Sequence, residues 1–180
     1  MSLGQCLLGV KEQLVTDFME LASGIFREDV FRHLLTREAS RATRYQDFFS
    51  ICLLKPDGAG PHLADDDSDI HLAVSRKISQ FLRSTDMVGR VQDGIAIVLL
   101  HTAGADAVRV AERIRAYIEN VAFPAGTDGA ARHVTLSVGG VSFPRDGYND
   151  AVLLSRAQAH LHEAARDGGN RVVYSSESGA

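Results

Sequence analysis

An α+β fold, with one mixed sheet and helices packed on it, is what this sequence predicts. Three observations carry the prediction. Helical apolar stripes alternate with strand-length apolar runs, an Asp-Gly pair between two such runs signals a hairpin, and no repeat or low-complexity linker breaks the order. The 180 residues, 45% hydrophobic and 23% charged, have the size and composition of one globular domain.

The elements follow in order. Residues 5–22 place Leu7, Val10, Leu14, Phe18 and Leu21 three and four apart, one apolar stripe on a helix. Such a stripe packs on its own domain or pairs with a second copy as a short coiled coil, and five positions do not choose between them. Residues 27–44 form a second helix, with Phe31, Leu34, Leu35 and Ala39 inward and arginines outward, and FFSICLLK (48–55) is a strand. Residues 56–64, rich in Gly and Pro, read as a loop. Asp65–Asp69 then supply cap and first-turn carboxylates to a helix ending near Ser84. In DMVGRVQDGIAIVLL, Asp93-Gly94 is the tight turn of a hairpin. A helix over about 104–120 carries Ala107, Ala111, Ile114 and Ile118 on one face. HVTLSVGGVSF (133–143) alternates as a strand. Asn149 or Asp150 caps a last helix, Gly168-Gly169 ends it, and Arg171–Tyr174 is the final strand.

A formal charge of -4 offers no basic face for a phosphate backbone, so nucleic acid is not an expected partner. No apolar run approaches the roughly 18 to 20 residues of a membrane span, and MSLGQCLLGVKEQ has no basic n-region. A cytoplasmic address away from membranes is the expectation. Cys6 and Cys52 have neither metal-ligand spacing nor a disulfide framework, and Cys52 reads as a small buried hydrophobe.

Five stretches, in order and each on its expected element, resemble the GGDEF (diguanylate cyclase) family. SGIFREDVF (23–31) is similar to TGLxNRRxF, RSTDMVGRVQDGIAIVLL (83–100) to RxxDxxxRYGGDEFAVLL, and VRVAERIRAYIE (108–119) to the following helix. VTLSVGGVSFP (134–144) is similar to VTxSxGVAxxP, and RAQAHLHEAARDGGNRVV (156–173) to RADxALYxAKxxGRNRVV. The resemblance implies the palm fold of nucleotidyl cyclases, a mixed and mostly antiparallel five-stranded sheet flanked by helices. It divides the chain into an N-terminal linker or dimerisation helix (1–22), the domain (23–176) and a tail (177–180). Active members join two GTP molecules into cyclic di-GMP, which requires carboxylates that hold Mg²⁺.

Set against that pattern, the signature has become Gln92-Asp93-Gly94-Ile95-Ala96. Ile95 stands where the glutamate ligand belongs, and Lys55, an ammonium, at the first-strand aspartate position. The guanine-reading NDxxGHxxGD stretch is replaced by a shorter loop, Gly58–Ser68, without its asparagine. Ala165 and Gly169 take the places of the phosphate-binding Lys and Arg. The resemblance therefore implies an inactive member, with no catalytic residue, metal or cofactor. An alternative metal site from Asp57, Asp93 and Asp65–Asp69 is disfavoured: Asp93 is accounted for as a turn former, and the Asp run lacks the Gly and Glu of a calcium loop. The histidines, His160 and His162 included, read as surface or boundary residues.

One family feature remains. The inhibitory product site is marked by RxxD five residues before the signature, and Arg83-Ser84-Thr85-Asp86 stands at that spacing. An arginine fork bonds guanine O6 and N7 or stacks on the base, and a carboxylate accepts guanine N–H groups. The family adds an arginine from the next helix, at Arg113 here, and Arg109 one turn earlier is placed for a phosphate. Arg83 and Asp86 read equally as an exposed i,i+3 pair at a helix end. The expected function is a cyclic di-GMP receptor in bacterial second-messenger signalling, with a protein partner or a homodimer. The second reading is an interaction or dimerisation module that binds no nucleotide. A third, an active cyclase, is disfavoured.

Overall fold

The computed structural model describes residues 19–20, 25–58, 66–92, 94–125 and 130–175. Most of the helix expected over residues 5–22 lies outside the described residues. At its end the expectation is corrected: Met19–Glu20 is a two-residue strand, β1, paired antiparallel with β2 (Ile25–Phe26). That ladder gives backbone groups partners that a helix terminus leaves open.

Helix α1 (Glu28–Tyr45) follows, then β3 (Phe49–Pro56), α2 (Asp66–Ser79) and the hairpin of β4 (Met87–Val91) and β5 (Gly94–Leu100). Next come α3 (Ala105–Glu119), a small hairpin of β6 (Ala122–Ala125) and β7 (Ala130–His133), β8 (Leu136–Phe143), α4 (Asp150–Arg166) and β9 (Arg171–Tyr174). The main sheet runs β1-β2-β4-β5-β3-β8-β9. Its five longer strands form the expected mixed sheet; β8 and β9 run parallel, and β3 is antiparallel to both neighbours.

Strand alternation sends side chains to two cores. Cys52, Leu54, Ile95 and Ile97 meet Val74 and Ile78 of α2 and the predicted stripe Ala107, Ala111, Ile114 and Ile118 of α3. Ile51, Leu53, Ala96 and Val98 meet Phe31 and Leu35 of α1 and Leu153, Ala157 and Leu161 of α4. The architecture is three layers, with β3 buried at the centre. At Gly139 of β8 a side chain would collide with the α4 backbone at Ala157 and Leu161, so glycine lets helix and sheet approach. Asn149 caps α4 by accepting the Val152 N–H at 2.9 Å. Gly168 and Gly169, with φ of 103° and 71°, reverse the chain after it.

Three local expectations are corrected. Helix α2 ends at Ser79, not near Ser84, and the N–H groups of Gln80, Phe81 and Leu82 turn to the carbonyls of Lys77, Ile78 and Ser79. Apolar periodicity continues past the helix because Phe81 and Leu82 still pack on the α2/α3 core. The hairpin turn comes one residue earlier than expected: Val91 pairs with Gly94, and Gln92 takes the positive φ of 44°. Asp93 itself lies outside the described residues. The strand expected over 133–143 is broken at Val134–Thr135, where the Thr135 carbonyl accepts the Asp57 N–H at 2.9 Å. No helix among the described residues is long and apolar enough to cross a membrane.

Candidate functional site

The β4–β5 hairpin has two ends, and candidate residues gather at each. At the strand entry, the turn between α2 and β4 carries Arg83 and Asp86. The Asp86 Oδ2 accepts the Arg83 backbone N–H at 2.9 Å, Oδ1 accepts the Leu100 N–H at 3.3 Å, and the Asp86 N–H donates to the Arg83 carbonyl at 3.0 Å. Asp86 therefore pins the turn to the end of β5. The i,i+3 side-chain pair, the alternative to the binding reading, is not formed: the carboxylate takes main-chain donors, and the Arg83 side chain stays exposed.

Arg113 projects from α3 with its guanidinium 5.8 Å from the centre of the Phe81 ring, a cation–π contact two residues from Arg83. Phe81 packs in turn on Tyr117, ring centres 4.5 Å apart. The sequence reading did not single out these two aromatics; the one available signal is Tyr117 following Arg113 by four residues on a helix. Arg109 is also exposed but is held by Asp106, Nη1 to Oδ1 at 2.6 Å. Arg83 and Arg113 thus share the neighbourhood of Phe81, while Arg109 is engaged elsewhere.

At the hairpin turn the structure opens into a cleft of about 720 Å³ between the ends of β3 and β5 and helix α4, lined by Lys55, Gln92, Gly94, Ser137, Gln158 and His162 among others. Glu28 of α1 fixes its rim, one carboxylate oxygen accepting the Gln92 N–H at 2.9 Å and the other the Arg32 side chain. Asp57 is consumed by structure. Its Oδ2 accepts from the Thr135 hydroxyl at 2.7 Å and the Asn170 N–H at 2.8 Å, and its Oδ1 accepts from the Ser137 hydroxyl at 2.5 Å. Asn170 continues this network to Arg115 and Glu119 of α3, accepting from one at 2.6 Å and donating to the other at 2.8 Å. The bond from Asn170, with help from Arg115, holds the Glu119 carboxyl below its ordinary range.

Ile95 does not face this cleft with its side chain. It is 2% exposed, pairs with Leu54 across the sheet, and points into the α2/α3 core. Alternation puts Gly94, one residue earlier, on the face that Lys55 shares with Leu53 and Ala96. The position read as a lost ligand is thus a core residue, and the bare one is Gly94. A side chain there would start 2.8 Å from the Leu54 carbonyl oxygen.

The family model for the diguanylate cyclase GGDEF domain matches residues 67–171, more than half of the chain. This chain belongs to the GGDEF family. The response regulator PleD of Caulobacter vibrioides is 30% identical over 98 residues, 54% of this chain but 22% of PleD. The chain thus spans about a fifth of that relative's length. Among solved structures, the coiled coil and GGDEF domain of DgcB from Caulobacter crescentus, in complex with c-di-GMP, superposes with a TM-score of 0.81 at 15% identity, covering 96% of this chain and 93% of that one. The diguanylate cyclase SiaD of Pseudomonas aeruginosa, in complex with its activator SiaC, gives 0.78 at 25% identity, covering 96% and 67%.

The GGDEF reaction implies Mg²⁺, and the described residues at the hairpin turn do not fit that ion. Mg²⁺ needs oxygen ligands in octahedral geometry. Lys55 presents an ammonium, Gly94 no side chain, Ile95 a buried alkyl group, and Asp57 a carboxylate already taken by three donors. Among the described residues no group of three His, Cys, Asp or Glu side chains stands together as a metal site.

Proposed function

We propose that this GGDEF domain is catalytically inactive and acts as a cyclic di-GMP receptor, reading guanine with Arg83, Asp86 and Arg113. The observation that carries the reading is the Asp86-pinned turn, which presents an exposed Arg83 two residues after Phe81, the ring that holds Arg113. A rigid turn lowers the entropy cost of presenting an arginine fork to a base edge. Arg109 joins as a phosphate contact once the ligand draws it from Asp106. No Mg²⁺ or other cofactor takes part. The likeness to DgcB, whose structure holds c-di-GMP, supports the ligand assignment. Inactivity rests on Lys55, Gly94 and the occupied Asp57.

Calorimetric titration of cyclic di-GMP into the wild type and the Arg83→Ala variant tests the receptor reading, with GTP plus Mg²⁺ incubated alongside and assayed for product. Micromolar binding that is lost in the variant, with no product formed, is the expected result. Absence of heat at millimolar ligand would sink the reading. It would leave a protein-interaction module, a class to which the SiaD–SiaC complex gives a family precedent.

A further inference from the structure

Two half-buried aromatic rings join the elements that carry the arginines at the strand entry. Phe81 belongs to the connection between α2 and β4, two residues before Arg83, and Tyr117 to α3, four residues after Arg113. The rings pack on each other with centres 4.5 Å apart and planes inclined at 58°, and both rest on the α2/α3 core. The Arg113 guanidinium stands 5.8 Å from the centre of the Phe81 ring. Phe81 therefore makes two contacts of different kinds. Tyr117 holds the ring to α3, and the ring holds a cation of the same helix beside the segment that continues to Arg83.

Other exposed arginines are oriented differently. Arg32 and Arg109 each lean on a carboxylate, Glu28 at 2.8 Å and Asp106 at 2.6 Å, which occupies part of the guanidinium fork. Among the described residues Arg113 has no carboxylate within ion-pair distance, and its orienting contact is the ring. A ring face attracts the cation and leaves its N–H donors open to a ligand. A long side chain that is ordered only on binding weakens affinity by a factor of roughly 2 to 10, and a braced one avoids part of that cost.

We propose that Phe81, seated on Tyr117, is a positioning residue of the cyclic di-GMP site: it fixes Arg113 relative to the Arg83 turn, so that one ligand meets both arginines already in place. The proposal rests on the receptor reading.

The test is calorimetry of cyclic di-GMP against the full chain, Phe81→Leu, Phe81→Tyr, Arg113→Ala and the double variant of Phe81→Leu with Arg113→Ala, each with a thermal melt. Leucine keeps an apolar side chain on the core and removes the π face, whereas tyrosine keeps the face. Phe81→Leu is expected to weaken binding by about fivefold and Phe81→Tyr to restore it, with no further loss from Phe81→Leu once Arg113 is alanine. Unchanged binding by Phe81→Leu, an equal loss in Phe81→Tyr, or the same loss with and without Arg113 overturns the positioning role and leaves the receptor reading standing. No heat from the wild type at millimolar ligand overturns both. Should Phe81→Leu fail to fold, the Arg113 side-chain N–H signal in NMR of the wild type decides. A ring-current displacement that persists on adding cyclic di-GMP supports the brace, and the position of a free arginine overturns it.

Discussion

The two ends of the β4–β5 hairpin have been treated differently by this sequence. At the strand entry, polar residues are braced by the backbone: Asp86 takes two main-chain N–H groups, and Arg113 rests on an aromatic ring. At the turn, Lys55 lines an open cleft without an ion-pair partner among the described residues, and Asp57, the one carboxylate of the described lining, is spent on holding loops together. The contrast teaches that retention of a site is legible in how its residues are supported as well as in their identity. An arginine without a brace is an ordinary surface residue; one beside a pinned turn has a direction.

The largest expected effect separates binding from folding at the braced end. Arg83→Ala should weaken cyclic di-GMP binding by about 2 kcal/mol or more, roughly thirtyfold, because it removes a charge-assisted fork. The melting temperature should stay within a degree or so, since the side chain is exposed. Calorimetry and a thermal melt together check this; a large loss of stability would mean that Arg83 is structural and would break the contrast.

Gly94→Ala probes the other end. Its new methyl would stand 2.8 Å from the Leu54 carbonyl, so a cost of about 1 to 2 kcal/mol is expected, read as a fall of several degrees in the melting temperature. An unchanged melt would show that the turn yields freely. Asp86→Ala should cost about 1 kcal/mol by leaving two backbone donors to water. It should also weaken ligand binding beyond that loss, whereas Asp86→Asn, which keeps an acceptor, should recover the stability but not the affinity.

The smallest effect lies away from both ends and calibrates them. The Arg41 hydrogen bond holds the Asp47 carboxyl below its ordinary value of 3.8. A lowered folded pKa contributes stability that is present above the unfolded value and lost as pH falls through the folded one. Asp47→Asn should therefore lower stability modestly at neutral pH, where the carboxylate is paired with Arg41, and flatten the loss below about pH 4 so that the two proteins converge in acid, as acid titration followed by circular dichroism would show.

Much of the fold was legible because periodicity reports burial directly: the α3 stripe Ala107, Ala111, Ile114 and Ile118 is buried, and β9 runs Arg171–Tyr174 as expected. The errors share a cause. Gly94 was read as a turn former, but its missing side chain serves close approach to Leu54, and Gln92 takes the left-handed conformation instead. Phe81 prolonged an apolar pattern without prolonging the helix, since packing does not demand helical backbone. The family resemblance sets Ile95 at a ligand position, whereas the sheet face it occupies depends on strand pairing that only the three-dimensional register supplies. Of the candidate site, the residue types were readable. The Phe81–Tyr117 support was not, because that contact joins two elements distant in the sequence.

Cys52 sits at the middle of β3, fully buried, its thiol pushed up to about 12 by the apolar surroundings. It is neither accessible nor ionised at neutral pH in the closed protein, so a thiol reagent can reach it only when α2 and α3 lift from the sheet or the sheet itself opens. The protein thus carries its own clock for opening of that layer. The rate at which Cys52 is alkylated, resolved from Cys6 by peptide mapping, with and without cyclic di-GMP, would report whether a ligand at the strand entry stiffens the middle of the molecule.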